Sequence, residues 1–166
     1  MTLIKNGEIV TDPWVRLDDD DAPLPEDRPA FITVKRWQRD REALAGRTAP
    51  LGIVLDSNEP PSLIADDLAR FEAVALRFPK FNDGRAFSYA CLLRDRYGFK
   101  GEVRAVGHIL RDQLLFLQRA GVDAMEVAAP DARAKADWRK ALAEISVYYQ
   151  STHDGRTSVF RLRHQA

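Results

Sequence analysis

Cysteine is almost missing from this chain: Cys91 is the only one among 166 residues. A single thiol closes no intramolecular disulfide, and it supplies one of the four thiolates that an iron–sulfur cluster usually takes. The chain therefore fits a reducing compartment, and no cofactor or metal is expected. Long apolar runs are also missing. None approaches the roughly 20 residues that span a bilayer, and the amino terminus lacks the basic-then-apolar pattern of a secretory leader, so the expected location is the cytoplasm, off the membrane. Nor does one sign of charge prevail. Twenty-five Lys and Arg balance 25 Asp and Glu, which leaves no overall field to draw the protein onto nucleic acid or anionic lipid. Finally, no G-x-G-x-x-G follows a strand and no G-x-x-x-x-G-K-[ST] occurs, so the usual glycine devices for dinucleotides and triphosphates are absent.

What is present is enough apolar material, 45% of the residues, for one continuous core in a chain of single-domain size. Residues 1–16 begin Leu3-Ile4, Asn6-Gly7, Ile9-Val10, and the Asn-Gly pair supplies the positive φ angles of a tight hairpin. Residues 17–29, LDDDDAPLPEDRP, read as an acidic, proline-rich surface linker, because consecutive aspartates repel and prolines donate no ladder hydrogen bond. From residue 30 to about 150 strands and helices alternate. FITV leads to a helix over Trp37–Ala45. LGIVL at Leu51–Leu55 leads to a helical stripe of Ile64, Leu68 and Phe71, with Ser62 as the expected N-cap. AVALRF at Ala73–Phe78 leads to a helix carrying Ala86, Tyr89, Ala90, Leu93 and Tyr97 and stopped at Gly98. VRAVG at Val103–Gly107 leads to a helix over Ile109–Arg119, and AMEVA at Ala124–Ala128 to a last helix over Ala132–Gln150. Residues 151–166 form a polar tail.

Short apolar strands separated by helices of about three turns are what a mostly parallel α/β sheet covered by helices requires. Strands lying in chain order would make it part of a barrel; one reversal of order would make it doubly wound. The segment around Leu110, Leu114, Leu115, Phe116 and Leu117 is apolar over most of its circumference and needs a second neighbour. The carboxy-terminal helix would serve, and so would a homodimer or partner interface through Leu114 and Phe116.

Ligands in parallel α/β sheets bind beyond the carboxyl ends of the strands. The residues falling there are Asp56, the turn from Lys80 to Arg85, His108 with Arg111 and Asp112, and Glu126. In the turn FPKFNDGR, Lys80, Gly84 and Arg85 together with first-turn amides would make a cradle for a small anion such as sulfite, sulfate, phosphate or a carboxylate, with Asp83 as helix cap. Equally, Asp83 and Arg85 would serve only to cap the helix and pair. Asp83, His108 and Asp112 are the candidate acids and bases. His108 and Asp112, four apart, would share a helix face, but two ligands do not make a metal site. Cys91, inside a helix, reads as a small buried hydrophobe.

The block FPKFNDGRAFSYACLLRDRYGFKGEVRAVGHILRDQLLFLQRAGVDAMEV, Phe78–Val127, closely resembles the bacterial domain of unknown function family 934. LIKNGEIV with DPWV, the LGIVL strand and ALAEISVYYQ resemble it too. The resemblance implies a place in assimilatory sulfite reduction, because members are typically encoded beside the haemoprotein subunit of sulfite or nitrite reductase. That subunit is the implied partner. No catalytic residue carries over; Lys80, Asp83, Gly84, Arg85, Arg104, Gly107, Asp112 and Gln113 stand in the most characteristic stretches, and Cys91 stands where the family's pattern has Arg.

Overall fold

The amino-terminal hairpin forms as its Asn-Gly pair dictates. Strands β1 (Thr2–Lys5) and β2 (Glu8–Val10) pair antiparallel around Asn6 and Gly7, both at positive φ. The computed structural model describes residues 1–152 and 154–164. The hairpin is not a detached appendage, for β1 pairs antiparallel with β8 (Ala124–Val127) and so forms one side of the main sheet.

The other strands are β3 (Val15–Arg16), β4 (Ala30–Thr33), β5 (Leu51–Leu55), β6 (Ala73–Phe78) and β7 (Glu102–Gly107). In the sheet order β2-β1-β8-β7-β6-β5-β4-β3, the strands from β3 to β8 stand in chain order and every neighbouring pair among them is parallel, while the hairpin adds on beside β8. No reversal occurs. The sheet therefore curls into half a barrel and is not doubly wound.

Helix α1 (Val34–Leu44) starts at the last residue of β4, where Thr33 Oγ1 accepts from the Arg36 amide at 3.0 Å. Between β5 and β6 the expected helix is a 3-10 segment, Pro61–Arg70, which starts after Pro60 with no side-chain cap. Ser62 lies inside it and is not its N-cap. Helix α2 (Arg85–Cys91) continues through a π turn, Leu92–Arg96, and Gly98 at φ 62° ends it as expected. Helix α3 is shorter than its apolar pattern suggests, Leu114–Arg119 after a 3-10 turn at Arg111–Gln113. The first residues are diverted locally: the Ile109 amide donates to the Gly107 carbonyl, and the Leu110 amide to the Gln113 side chain at 2.9 Å. Helix α4 (Asp131–Glu144) packs on α3 and stops six residues before Gln150. Ile145 is extended there, and Tyr148 is drawn away to bridge Ser158 ahead of the short helix α5 (Val159–Arg163).

Strand alternation sorts the core into two layers. Ile53, Val74, Leu76, Phe78, Val103 and Met125 point to the helices, where Trp37, Ile64, Leu93, Leu117 and Trp138 meet them. Phe31, Val54, Ala73, Ala75 and Val106 point to the inner face of the half-barrel. The stretch from Thr11 to Arg16 crosses that face from one side of the sheet to the other. Trp14 stacks on Phe31 at 4.6 Å between centroids, and the space both rings need is provided by Gly52, where a Cβ would stand 2.5 Å from Phe31 and 2.9 Å from Trp14. Beside them Arg104 is 1% exposed. It pairs with Asp12 and Glu102, each at 2.7 Å, and with Glu126 at 3.5 Å, and lies over the Phe31 ring. Lys5 holds the other side of Glu102 at 2.7 Å, and Arg16 holds Glu126 through two bonds of 2.9 and 3.0 Å. Three cations thus meet three carboxylates, which is how buried charge is tolerated. Burial alone would lower the Arg104 pKa; its bonds to Asp12 and Glu102 outweigh burial and raise it.

Candidate functional site

The carboxyl ends of the parallel strands form one rim of the half-barrel. Arg77, next to last in β6, alternates with Leu76 and Phe78 and so turns to the inner side, where its guanidinium pairs with Asp18 and, at 3.2 Å, with Asp56 just beyond β5. Arg16, at the end of β3, brings its Nε to 3.8 Å from the same Asp18 carboxylate while its Nη1 holds Glu126 of β8. His108 follows β7 and lines a cleft of about 250 Å³ together with Arg16, Asp18, Arg77 and Gly107. Gly107 is at φ 99°, and a Cβ there would lie 2.5 Å from the Phe78 carbonyl oxygen, so the close approach of β6 and β7 at the cleft wall admits glycine alone.

Three residues named from the sequence as strand-end groups, Asp56, His108 and Glu126, thus share this rim. Arg16, Asp18 and Arg77 were missed. One signal was available for Arg77, an arginine inside the apolar strand AVALRF, since parallel strands covered on both faces rarely hold a charge without a task.

The turn from Lys80 to Arg85 lies beside the rim. Arg85 donates to Asp83 through Nε at 3.0 Å and Nη2 at 2.7 Å, and Nη2 also donates to Ser57 Oγ at 2.9 Å. The Arg85 guanidinium bond holds the Asp83 carboxyl far below the usual carboxylate range, and Asp83 in turn raises the Arg85 pKa. Gly84 occupies the N-cap position of α2 without a capping side chain, and Lys80 is exposed. Phe81 stands edge-on to His108 at 6.0 Å, and its carbonyl accepts from the Gln113 amide, tying this turn to the β7–α3 loop.

Asp112 is exposed on the 3-10 turn, while His108 precedes the helix, so the two do not share a helix face. Arg111 turns outward to Asp137 and Glu144 of α4, on one wall of a second cleft of about 390 Å³ that also reaches His108 and Arg133. Among the described residues no group of three or more His, Cys, Asp or Glu is gathered to hold a metal ion. Burial, with the charge of Asp95 adding to it, pushes the Cys91 thiol up. Leu114 is buried beneath α4, whereas Phe116 of the same helix is half exposed.

The acidic run is spent within the chain. Asp18 serves Arg77; Asp20 accepts from Thr33 and pairs with Lys35 at 3.0 Å; Asp21 pairs with Arg39 at 2.7 Å. These contacts fasten the long connection between β3 and β4 across the top of the rim.

A search of curated proteins finds no match to this chain. A family model described as bacterial protein of unknown function (DUF934) matches residues 52–160, from β5 through the start of α5, a span that contains Arg77, Arg104, His108 and Glu126. With well over half its length matched, the chain belongs to this bacterial family.

Proposed function

We propose that this protein is an accessory of assimilatory sulfite reduction in the bacterial cytoplasm, docking on the haemoprotein subunit of sulfite reductase and assisting delivery of electrons or substrate. The pathway rests on what the family resemblance implies. The docking rests on one observation, the large apolar side chains that residues 145–149 and 160–162 of the carboxy-terminal segment turn to solvent.

That segment is fastened firmly. The Arg119 guanidinium lies 3.5 Å from the centroid of the buried Tyr148 ring, donates to the Gln150 carbonyl and pairs with Asp154, each at 2.9 Å; Arg156 reaches the Tyr148 hydroxyl from the other side. Yet Tyr149 is 83% and Phe160 68% exposed, and Ile145, Val147 and Leu162 are exposed with them. Large apolar groups gathered on one exposed segment mark a contact surface. Arg161 and Arg163 stand exposed among them, so a homodimer through this face would set like charges together, whereas a partner with a carboxylate rim would not. The haemoprotein subunit and this protein should co-sediment, and Tyr149→Ser with Phe160→Ser should abolish the complex. A strain lacking the gene should grow poorly on sulfate or sulfite and normally on cysteine. Normal growth on sulfite, with no complex at micromolar concentrations, would sink the reading.

A second reading is a small-anion-binding protein or enzyme using the turn from Lys80 to Arg85, with Asp83, His108 or Asp112 as acid or base. The observation in its favour is that Lys80, among the described residues, has no carboxylate partner. It requires stabilisation by sulfite or phosphate in thermal melts, lost in Arg85→Ala.

A further inference from the structure

The rim holds two arginines that converge on one acceptor. Arg16 ends the edge strand β3 and Arg77 stands at the end of β6, three strands away in the sheet, and the carboxylate of Asp18 pairs with both. Asp18 does not belong to the sheet. It lies in the connection between β3 and β4, its side chain 60% exposed, and solvent reaches about a third of each arginine, 32% in both cases. Two other carboxylates hold different nitrogens of the two guanidinium groups: Glu126 of β8 takes Arg16 Nη1 through two bonds, and Asp56, just beyond β5, takes Arg77 Nη1. The arginines therefore stay aimed when Asp18 leaves. A cleft of about 250 Å³ that they line together with His108 opens at the end of the strands where parallel sheets bind ligands.

We infer that Arg16 and Arg77 form a seat for a small oxyanion or carboxylate, and that Asp18 occupies it as an internal stand-in which the ligand displaces. Two guanidinium forks suit a group with several oxygens better than a single ammonium would. The contact to be displaced is an exposed ion pair, a class of interaction that contributes little and yields readily to a competing anion. Displacement also couples the ligand to the chain above the rim. Asp20 and Asp21, two and three residues further on, hold Thr33, Lys35 and Arg39, so movement of Asp18 is passed to the start of α1. The seat is separate from the turn from Lys80 to Arg85, whose guanidinium is already taken by Asp83 and Ser57. It is independent of the docking reading, since a chain that binds no partner would still hold the anion.

The test is a titration of the full-length protein with sodium sulfite, sulfate, phosphate and acetate at constant ionic strength, followed by the arginine Nε–H resonances. Saturable shifts are expected for the Arg16 and Arg77 signals. Asp18→Asn removes the competing charge without changing shape and should tighten binding about two- to fivefold, the worth of an exposed pair. Arg77→Ala should weaken it roughly tenfold or more, as loss of a charged hydrogen-bond donor does. Arg77→Lys, which keeps the charge and loses the fork, should fall between them and guards against misfolding of the alanine variant. Arg85→Ala should bind as the wild type does. Preference for sulfite, sulfate or phosphate assigns an oxyanion, and preference for acetate a carboxylate. Unchanged affinity in both Asp18→Asn and Arg77→Ala overturns the proposal, and so does loss of binding in Arg85→Ala with Arg77→Ala intact, which would place the anion at the neighbouring turn.

Discussion

Replacing Arg104 by methionine puts the largest fully buried side chain among the described residues under test. The substitution keeps the length of the side chain and its contact with Phe31, and removes three ion pairs at once. Breaking a buried pair from one side typically costs about 3–5 kcal/mol, because the remaining charge is left without compensation. Here that residue of charge is shared out. Glu102 keeps Lys5, Glu126 keeps Arg16, and Asp12 is about one-third exposed to water. The loss should therefore fall at the lower end, about 3 kcal/mol. For a domain of this size it should lower the melting temperature by roughly 6–12 °C, since each kcal/mol is worth about 2–4 °C. Urea unfolding followed by circular dichroism measures it directly. Adding Asp12→Asn to the methionine variant should cost almost nothing further, because the Asp12 carboxylate has already lost its Arg104 partner. A methionine variant within about 1 kcal/mol of wild type, or a full additive loss from Asp12→Asn, would refute the view that the inner network is held by Arg104.

The acid limb of stability should involve Asp83. Its folded pKa is depressed by Arg85, so its contribution is present above the unfolded value of about 4 and is lost as pH falls through the folded one. The gap in urea midpoint between wild type and Asp83→Asn should be open at pH 7 and should narrow below about pH 4; a gap that widens with acid contradicts the pairing. Gly52→Ala places a methyl group 2.5 Å from Phe31 and should cost about 1–3 kcal/mol by overpacking, with a changed Trp14 emission as the local readout. Burial raises the Cys91 pKa, so its reaction with a disulfide reagent at pH 7.5 should be slower than that of free cysteine, and Cys91→Ser should leave docking unchanged.

Much of the architecture was legible because it is written in local patterns. Asn6-Gly7 specified a hairpin by its φ angles, and Gly98 a helix end; the apolar runs at 51–55, 73–78 and 103–107 matched strands within one residue. Other expectations failed where a side chain, near or far in sequence, competed with periodicity. Apolar spacing carries Ile109 and Leu110 into α3, but Gln113 captures the Leu110 amide; the pattern continues past Glu144, but Arg119 takes Tyr148. Of the site, Asp56, His108 and Glu126 were found from position at strand ends. Arg16 and Asp18 were not, because they come from a segment separated from β6 by some 60 residues and have no motif of their own.

By itself the sequence determined the alternation of strands and helices, the parallel character of the sheet and the family, since each depends on side-chain periodicity or on an ordered run of residues. Only the tertiary structure decided between a barrel-like and a doubly wound sheet, because strand order depends on which faces the crossovers cover, and both orders use the same strand and helix patterns. The same curvature decided where charge meets charge. Curling the sheet brought Asp12, Arg16 and Asp18 across its inner face to Arg104, Glu126 and Arg77, and no local pattern in the chain records that encounter.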